Sequence, residues 1–232
     1  CNCEICSKYT PDEFRSLEAT EKINQLAIHN LHAIKLEVDK VKQAIHEGRL
    51  WEYVIKKARA HPKLFEMIEV MTENYEFLGL GTPKFKEKAI FLYDKEDQFR
   101  PEVQSFHNTV RRFKSNKKKI LIIKEYNTKP GYLSPQYIGL KKKFKGFDSI
   151  QVCQYNPHLG LIPIEISDIF PAAHHETARL DFKPEGFTVF EKTWNDFFNN
   201  NKFLEIHYDK DDKFLKHFVK MLPKKIKQKS FS

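Results

Sequence analysis

The sequence predicts an α/β protein in which a helical segment comes first and an α/β domain with a mostly parallel sheet follows. Three observations support this prediction. Apolar residues recur mostly at three- and four-residue steps through residues 16–47, which is the helical period. Residues 120–123 are continuously apolar, which is typical of a strand buried on both faces. Beyond that strand, extended and helical segments alternate, and this alternation predicts a parallel sheet covered by helices.

Three helices are expected in the first third of the chain. The first covers residues 16–47 and ends at Gly48, which interrupts the apolar repeat. The second covers residues 50–61. Pro62 suits the first turn of a helix, so the third helix begins there. The apolar residues on the inner faces of the second and third helices are Leu50, Trp51, Val54, Ile55, Ala58, Leu64, Phe65, Ile68 and Met71.

The segment that follows these helices is expected to be irregular as far as Arg100, apart from a short strand at residues 89–93. Pro101 opens a further helix, over residues 102–114. The basic stretch 114–119 comes next, and we take it as a domain boundary. The predicted division is therefore a helical segment at 1–78, a connecting region at 79–116 and an α/β accessory domain at 117–232.

Strands and helices alternate in the predicted accessory domain. Residues 135–145 are expected to form a helix, and residues 161–165 are expected to be extended. A helix at 186–199 carries an aromatic stripe, and the last helix covers residues 213–222. The remaining predicted strands are residues 149–154 and 204–208, and the aromatic stripe consists of Phe187, Phe190, Trp194, Phe197 and Phe198.

The composition is that of a globular protein with a large core. The 232 residues include 20 phenylalanines and only 8 glycines, which argues against disorder. No apolar run approaches 18 residues and no signal peptide is evident, so we expect a cytoplasmic protein without a membrane span. Because the chain starts at Cys1, we expect it to be a piece of a longer protein.

Positive charge is concentrated in two segments. The formal net charge is +9, and residues 111–145 contain twelve basic residues against one acidic residue, Glu125. Five lysines between residues 220 and 229 form a second cluster. Such concentration indicates a nucleic-acid partner, and a solvated lysine-rich surface is the alternative. The candidate RNA-binding residues are Arg111, Arg112, Lys117, Lys118, Lys119, Lys141, Lys142 and Lys143.

Three of the four cysteines, Cys1, Cys3 and Cys6, lie within one hexapeptide. Thiolates at this spacing can bind one ion from a single loop. A fourth ligand from a following helix then completes the tetrahedron of a structural zinc site. Three unrelated thiols are the alternative, but the crowding of so scarce a residue favours a metal.

The fourth ligand has three candidates, His29, His32 and Cys153. The two histidines lie about one helical turn apart, so either could face the cysteines. Cys153 falls in a predicted strand, where a small buried thiol is the more common role. The pattern favours His29 without excluding the others.

No catalytic constellation is evident. His174, His175 and Glu176 are adjacent, but adjacent side chains on one element diverge, so a shared metal or acid–base role is the weaker interpretation. The loop at residues 129–134 follows the first strand of the accessory domain. Because ligands of open α/β sheets bind at the carboxyl ends of strands, this loop is the best-placed site in that domain. It lacks a Gly-rich phosphate motif.

These motifs resemble those of a known enzyme family. The first 113 residues resemble the zinc-binding end of the archaeal tRNA-guanine transglycosylases. The second half is similar to the domain that follows in archaeosine-forming transglycosylases and in archaeosine synthase. The segments that carry the resemblance are the cysteine hexapeptide and residues 26–31, 48–52, 59–62, 100–103, 155–165 and 170–175.

The resemblance implies that Cys1, Cys3, Cys6 and His29 bind zinc. It also implies that residues 1–78 are the zinc-binding end of a TIM-barrel-type catalytic domain. In the family, two catalytic aspartates lie in the barrel upstream of the zinc ligands, so no catalytic residue is expected within this chain.

The accessory domain departs from the synthase at the loop that carries the transfer chemistry there. Lys129, Pro130 and Ser134 match the synthase motif. Glu125, however, stands where the synthase has its cysteine, and Gly131 stands where it has a tyrosine. We therefore predict an accessory domain without synthase activity.

The resemblance gives an expected function. The chain would be the C-terminal portion of an enzyme that exchanges guanine in tRNA for a 7-deazaguanine base in archaeosine biosynthesis, supplying a structural zinc site and tRNA contacts. The expected cofactor is Zn²⁺. Expected partners are tRNA, an upstream catalytic barrel in the same chain or a separate subunit, and a second copy in a homodimer. The alternatives are an archaeosine-synthase-like or non-catalytic tRNA-binding paralogue, and a zinc-stapled protein-interaction module.

Overall fold

The computed structural model describes residues 1–144, 146–178 and 182–231, and the chain divides into two units at residues 1–59 and 60–232. Lys145, the last residue of the helix predicted at 135–145, lies outside the described residues. The three-part division made from the sequence stays a prediction. None of the described helices combines the length and the apolar character needed to cross a membrane.

Helices make up the described secondary structure of residues 1–59. Thr10 caps the second helix with a capping box, in which its hydroxyl accepts from the Glu13 backbone and the Glu13 carboxylate accepts from the Thr10 backbone. This short helix was not predicted, and Ser16 ends it, so the long helix starts three residues later than expected. The helices are α1 (Glu4–Lys8), α2 (Pro11–Arg15), α3 (Ala19–His46) and α4 (Leu50–Ala58).

The contact between α3 and α4 forms the apolar part of this unit. Trp51, Ile55 and Ala58 of α4 are buried, and Ala44 of α3 is buried with them. The burial expected for Leu50 is wrong, since this residue opens α4 and is 40% exposed. Most of the apolar repeat of α3 is also exposed, and its most exposed members are Ile23, Leu31, Ile34 and Ile45.

The second unit contains a five-stranded sheet, a two-stranded sheet and six helices within its described residues. Its helices are α5 (Pro62–Glu73), α6 (Tyr75–Leu78), α7 (Pro101–Arg112), α8 (Pro135–Lys143), α9 (Thr188–Asn200) and α10 (Lys213–Lys220). Its strands are β1 (Ile90–Leu92), β2 (Lys119–Lys124), β3 (Ile150–Asn156), β4 (Gly160–Pro163), β5 (His175–Thr177), β6 (Glu205–Asp209) and β7 (Lys227–Phe231).

The five-stranded sheet has the order β4-β3-β2-β6-β7. The pairs β2 with β3, β2 with β6 and β6 with β7 are parallel, and β4 alone among the described strands of this sheet runs antiparallel, against β3. The prediction of an α/β fold with a mostly parallel sheet is confirmed. A separate pair, β1 with β5, is also parallel.

Both faces of the central strand are buried, as the apolar run of β2 predicted. Ile120 and Ile122 face the larger core, which α7, α9 and α10 cover. Leu121 and Ile123 face a smaller apolar layer, against which Tyr137 and Leu140 of α8 pack. The aromatic stripe of α9 lies in the larger core, where Trp194 and Phe190 are completely buried.

Several details differ from the sequence predictions. Leu64 was expected inside but is 51% exposed, and Ile68 is the buried residue of α5. Strands β5 and β7 were not predicted. β5 has only three residues, and β7 begins Lys227-Gln228-Lys229, a polar run that lacks the residues typical of strands but suits the edge of a sheet.

Candidate metal centre

The cysteine hexapeptide folds into a loop followed by the short helix α1. Cys3 is the N-cap of this helix, and its Sγ accepts a hydrogen bond from the backbone N–H of Cys6 at 3.4 Å. This single turn brings the two thiols to the same side of the loop. Helix α1 packs against α3, which carries His29.

Four ligand atoms meet between the loop and α3. His29 Nδ1 lies 3.3 Å from the Sγ of Cys3, 3.3 Å from that of Cys6 and 4.0 Å from that of Cys1. All four ligand atoms are within 4.8 Å of one another. Cys3 is buried, His29 is half-buried, and the other two cysteines are exposed. The structure therefore brings together the four residues that the resemblance implied.

This arrangement fits a tetrahedral zinc ion. Zinc–sulfur bonds of about 2.3 Å and zinc–nitrogen bonds of about 2.0 Å place the ligand atoms of a tetrahedron roughly 3.5–3.8 Å apart. The nitrogen–sulfur distances here scatter around that value. Three thiols and one imidazole are also a ligand set that zinc prefers, and four protein ligands leave no open position for a substrate.

The surroundings of the loop favour the thiolate that a metal requires. The backbone N–H of Cys6 lowers the pKa of Cys3 to about 6, and the neighbouring His29 side chain adds to this effect. The hydrogen bond and the negative charge of Cys3 raise the pKa of Cys6. A divalent cation would offset this repulsion between neighbouring thiolates.

The other two candidates for the fourth ligand lie elsewhere. His32 is on α3, one turn beyond His29, and is not part of the four-residue cluster. Cys153 is a completely buried residue of β3 in the second unit, where burial raises the pKa of its thiol well above the usual range. Cys153 is therefore a core residue, as its position in a strand suggested.

The candidate RNA-binding residues differ in their exposure and in their contacts with other side chains. Arg111 has the most such contacts, because its Nε lies 3.0 Å from the Asp196 carboxylate and its guanidinium donates a hydrogen bond to Asn108. Lys119 lies 4.0 Å from the Glu205 carboxylate, and Lys117 is half-buried. Within the described parts of the chain, no ion pair involves the exposed residues Arg112, Lys118, Lys141, Lys142 and Lys143.

The loop at residues 129–134 meets a buried polar cluster that the sequence did not predict. The Glu125 carboxylate lies 3.0 Å from Nε2 of His175 and accepts from Nδ2 of Asn156 at 2.7 Å. Lys129 donates to the backbone carbonyl of His175. Burial would raise the pKa of Glu125, but the charge and hydrogen bond of His175 hold it below the usual range. In the sequence, only the presence of polar residues at the ends of two neighbouring strands could have indicated this cluster.

His174 lies just before β5 and His175 is its first residue, and the two side chains contact different groups. His174 stacks on the ring of Phe85, and its Nδ1 lies 3.3 Å from the Lys86 carbonyl. His175 points to Glu125 instead. The two side chains therefore do not form one site.

Comparisons with known proteins agree with this geometry. The family model described as queuine tRNA-ribosyltransferase matches residues 1–63, a segment that contains all four candidate ligands. The relatives named tRNA-guanine(15) transglycosylase include proteins from Methanococcus maripaludis, Saccharolobus solfataricus and Pyrococcus abyssi. The one from Methanococcus maripaludis strain C6 is 31% identical over 210 residues, which are 90% of this chain and 30% of the relative.

The second relative, from Saccharolobus solfataricus, is 34% identical over 181 residues, which are 76% of this chain and 35% of the relative. The third, from Pyrococcus abyssi, is 40% identical over 115 residues, which are 50% of this chain and 20% of the relative. The chain belongs to the archaeal tRNA-guanine transglycosylase family. The family predicted from the cysteine and histidine motifs is thus confirmed.

The likeness to archaeal tRNA-guanine transglycosylases extends beyond the metal centre. The match of 210 residues is far longer than residues 1–63, so it includes much of the second unit. The chain spans about a third of the length of the curated relatives it matches.

Proposed function

We propose that this chain is the C-terminal portion of a tRNA-guanine transglycosylase that exchanges guanine in tRNA for a 7-deazaguanine base in archaeosine biosynthesis. In this proposal residues 1–78 are the zinc-binding end of a TIM-barrel-type catalytic domain, and the α/β unit contributes to tRNA binding. The catalytic aspartates belong to a barrel upstream of Cys1 or on a separate subunit. As expected for tRNA modification, the protein works in the cytoplasm.

The observation that carries the proposal is the cluster of Cys1, Cys3, Cys6 and His29. Its four ligand atoms lie within 4.8 Å of one another, inside the segment that matches the family model. A bound Zn²⁺ would supply structural cross-linking, since four protein ligands leave no position for catalysis. The residues themselves tie α1 to α3, because three ligands come from the loop and first turn and one from the long helix.

The basic residues support tRNA as the partner. Arg112, Lys118 and Lys141–Lys143 are exposed, and phosphate neutralisation by such side chains gives most of the affinity in nucleic-acid binding. Arg111 and Lys119 belong to the same set but have carboxylate neighbours, so we assign them smaller contributions.

The alternative of a synthase-like activity is disfavoured by Glu125. The position corresponds to the cysteine of archaeosine synthase, yet here it carries a carboxylate that His175 and Asn156 engage. A carboxylate held in this way has neither the thiolate chemistry nor the freedom that a covalent transfer step requires.

Metal analysis of the purified protein tests the proposal. We expect about one zinc ion per chain in the wild type and loss of that ion in Cys3→Ser, because zinc binds thiolate far better than hydroxyl. Cys153→Ser is the matched control, since it removes a thiol from the second unit, and it should keep the ion. An undiminished zinc content in Cys3→Ser would refute the assignment of the ligands.

The function itself is tested by guanine exchange. We expect the full-length protein to incorporate labelled guanine into unmodified tRNA, and Cys3→Ser to reduce incorporation through loss of folded protein. Full incorporation by a preparation free of zinc would contradict the structural role of the ion. Failure of the wild type to exchange guanine into any archaeal tRNA would contradict the enzymatic function.

A further inference from the structure

The strands of the five-stranded sheet begin along one edge, which we call the amino edge. The residue pairing places Lys119 of β2, Ile150 of β3, Glu205 of β6 and Lys227 of β7 in a single row. Because strands in a sheet are separated by about 4.8 Å, Lys119 and Lys227 lie only about 10 Å apart across β6. The segments that precede these strands are therefore neighbours in space.

Hydrogen bonds join the segment after α7 to the end of α9 at this edge. Nδ2 of Asn200 donates to the backbone carbonyl of Arg111, and the backbone N–H of Ser115 donates to Oδ1 of Asn201 at 2.7 Å. Nζ of Lys114 reaches the carbonyl of Asn200 at 3.3 Å. The start of the basic stretch 114–119, which the sequence analysis took as a domain boundary, is thus fixed against the end of α9.

The same pattern continues to the last strand. The backbone N–H of Leu204 donates to the carbonyl of Lys118 at 2.8 Å, and the N–H of Lys227 donates to the carbonyl of Leu204 at 2.8 Å. The lysine cluster near the end of the sequence therefore lies beside the basic stretch at residues 114–119. Two charge clusters that are far apart in sequence form one surface.

The parallel pairing of the strands also brings helix ends to the amino edge. In a parallel sheet, each helix returns the chain to the edge where the next strand begins, so the last turns of α7, α8, α9 and α10 point there. The basic residues of the amino edge are Arg111, Arg112, Lys114, Lys117, Lys118, Lys119, Lys141, Lys142, Lys143, Lys202, Lys220, Lys224, Lys225 and Lys227.

Acidic residues at this edge are few and partly engaged. Glu205 already interacts with His207 at 2.6 Å and with Lys229 at 3.0 Å. The carboxylate of Glu165 accepts from Nε2 of Gln151. Asp148 is exposed. Two basic residues of this surface have carboxylate neighbours, Arg111 with Asp196 and Lys119 with Glu205, so carboxylates of the described residues neutralise only part of its positive charge.

Helix stabilisation explains only part of this charge. Cations in the last turn of a helix interact favourably with its dipole, which accounts for residues such as Arg112, Lys143 and Lys220. Lys118, before β2, and the residues of the turn between α10 and β7 lie outside any helix. Their concentration at one edge has no such local explanation.

The amino edge also contains a depression lined by groups that can donate hydrogen bonds. A shallow depression of about 480 Å³ is lined by Asn116, Lys117, Lys118, Lys119 and Ser149. Ammonium, amide and hydroxyl groups are the donors that bind phosphate oxygens in nucleic-acid complexes. The opposite edge of the sheet is different, since Glu125, Asp209, Asp211 and Asp212 follow or end its strands.

We propose that the amino edge is one continuous surface that binds the phosphate backbone of RNA, and that Lys224, Lys225 and Lys227 belong to it. This proposal rests on the proposed function, because it takes tRNA as the polyanion. It places RNA at the edge opposite to the one that ligands of open α/β sheets commonly use, and hence away from the loop at residues 129–134.

Charge reversal at matched positions tests this proposal. The test variant is Lys224→Glu with Lys225→Glu, in the exposed turn before β7, and the control is Lys210→Glu with Lys213→Glu, at the opposite edge. Both variants change the net charge by the same amount at exposed lysines without ion pairs among the described residues. Binding of an unmodified tRNA transcript to the full-length protein is measured over a salt series.

We expect the test variant to bind about tenfold more weakly at 100 mM salt, and its plot of log K against log salt to become shallower by about 2, one for each lost phosphate contact. The control should change less than about threefold. Equal weakening of both variants would show a general charge effect and overturn the edge assignment, and so would an unchanged test variant. If the wild type binds no tRNA, the tRNA role of the proposed function fails together with the edge.

Lysine footprinting gives a readout that misfolding cannot imitate. Acylation of exposed lysines in the wild-type protein, with and without tRNA, should show protection at Lys118, Lys224 and Lys225 and no protection at Lys210 and Lys213. Protection of Lys210 and Lys213 alone would place the RNA at the opposite edge of the sheet, where the strands end, and refute the proposal.

Discussion

Residues 1–59 and residues 60–232 are stabilised in different ways. The first unit has six buried apolar side chains, whereas the described residues of the second have 33, many of them aromatic. The second unit is about three times longer, so its core is denser even per residue. The long helix α3 has one buried residue, Ala44, while the much shorter α9 has five.

This contrast shows which unit a structural metal ion would stabilise more. Small apolar cores seldom provide enough free energy to offset the entropy of folding, and a structural zinc ion can add about 10–16 kcal/mol of apparent binding energy. The cysteine cluster lies in the unit with the small core. The second unit, with rings such as Phe190, Trp194 and Phe218 packed on one another, has no need of such a cross-link.

The largest expected effect is that of metal removal. Chelation of the full chain should release amide protection from hydrogen exchange in α1 and in the part of α3 near His29, because four ligands would lose their shared ion. Strands β2 and β3 should stay protected. Added zinc should restore protection in the first unit. Equal loss of protection in both units would contradict a selective stabilisation of the first unit by the metal.

A cavity in the aromatic core should instead destabilise the second unit and leave the metal centre of the first unit unchanged. Trp194 is completely buried against Phe190, Phe198 and Phe218, so Trp194→Ala should lower the free energy of unfolding of the second unit by about 3–5 kcal/mol. Urea unfolding followed by circular dichroism measures this change, and zinc content should stay at one ion per chain.

The control for this cavity is Leu204→Ala, whose side chain is 60% exposed and which should change stability by less than about 0.5 kcal/mol. A loss of zinc in Trp194→Ala would mean that the two units depend on each other for folding.

Acid should lower the stability of the second unit by a smaller amount. His107 is completely buried, with Nε2 donating to the His158 carbonyl at 3.0 Å, and burial lowers the pKa of His107 to about 3. In the unfolded chain the imidazole has a pKa near 6.5, so it binds a proton there first as the pH falls. The contribution of neutral His107 to the free energy of unfolding is therefore complete above about pH 6.5. Between pH 6.5 and pH 5, His107 alone should lower the free energy of unfolding by about 2 kcal/mol.

Fluorescence of Trp194 in a Trp51→Phe background reports this unfolding for the second unit alone, since the chain has two tryptophans. His107→Gln should reduce the slope of stability against pH, and part of the slope should remain because burial also lowers the pKa of His158, to about 4. An identical slope in His107→Gln would exclude His107 as its source.

The parts of the fold that depend on local pattern could be predicted from the sequence. The apolar run of β2 and the aromatic stripe of α9 both depend on periodicity, and both lie in the core. β7 could not be predicted, because its pairing with β6 depends on a sheet that already exists and its residues are polar. The exposure of Ile23 and Ile34 on α3 could not be predicted either. A periodic pattern indicates which residues share one face of a helix, but it does not indicate what packs against that face.

The candidate site divides in the same way. The three cysteines are close in sequence, so their convergence follows from one turn of chain, and His29 was preferred among three candidates. The pair of Glu125 and His175 joins residues 50 positions apart through two different sheets. Nothing local in the sequence connects them, and the same is true of the lysines that meet at the amino edge.

The close approach of Gly131 to β3 restricts how this chain could evolve. A Cβ atom at position 131 would lie 2.1 Å from Oε1 of Gln154, and Gln154 is itself buried. The synthase motif has a tyrosine at this position, so a substitution toward that motif requires the side chain of Gln154 to move. The atoms in the way are the end of a flexible side chain, and Nε2 of Gln154 has no hydrogen-bond partner among the described residues. Positions 131 and 154 are therefore coupled, and what position 131 accepts depends on where the Gln154 amide lies.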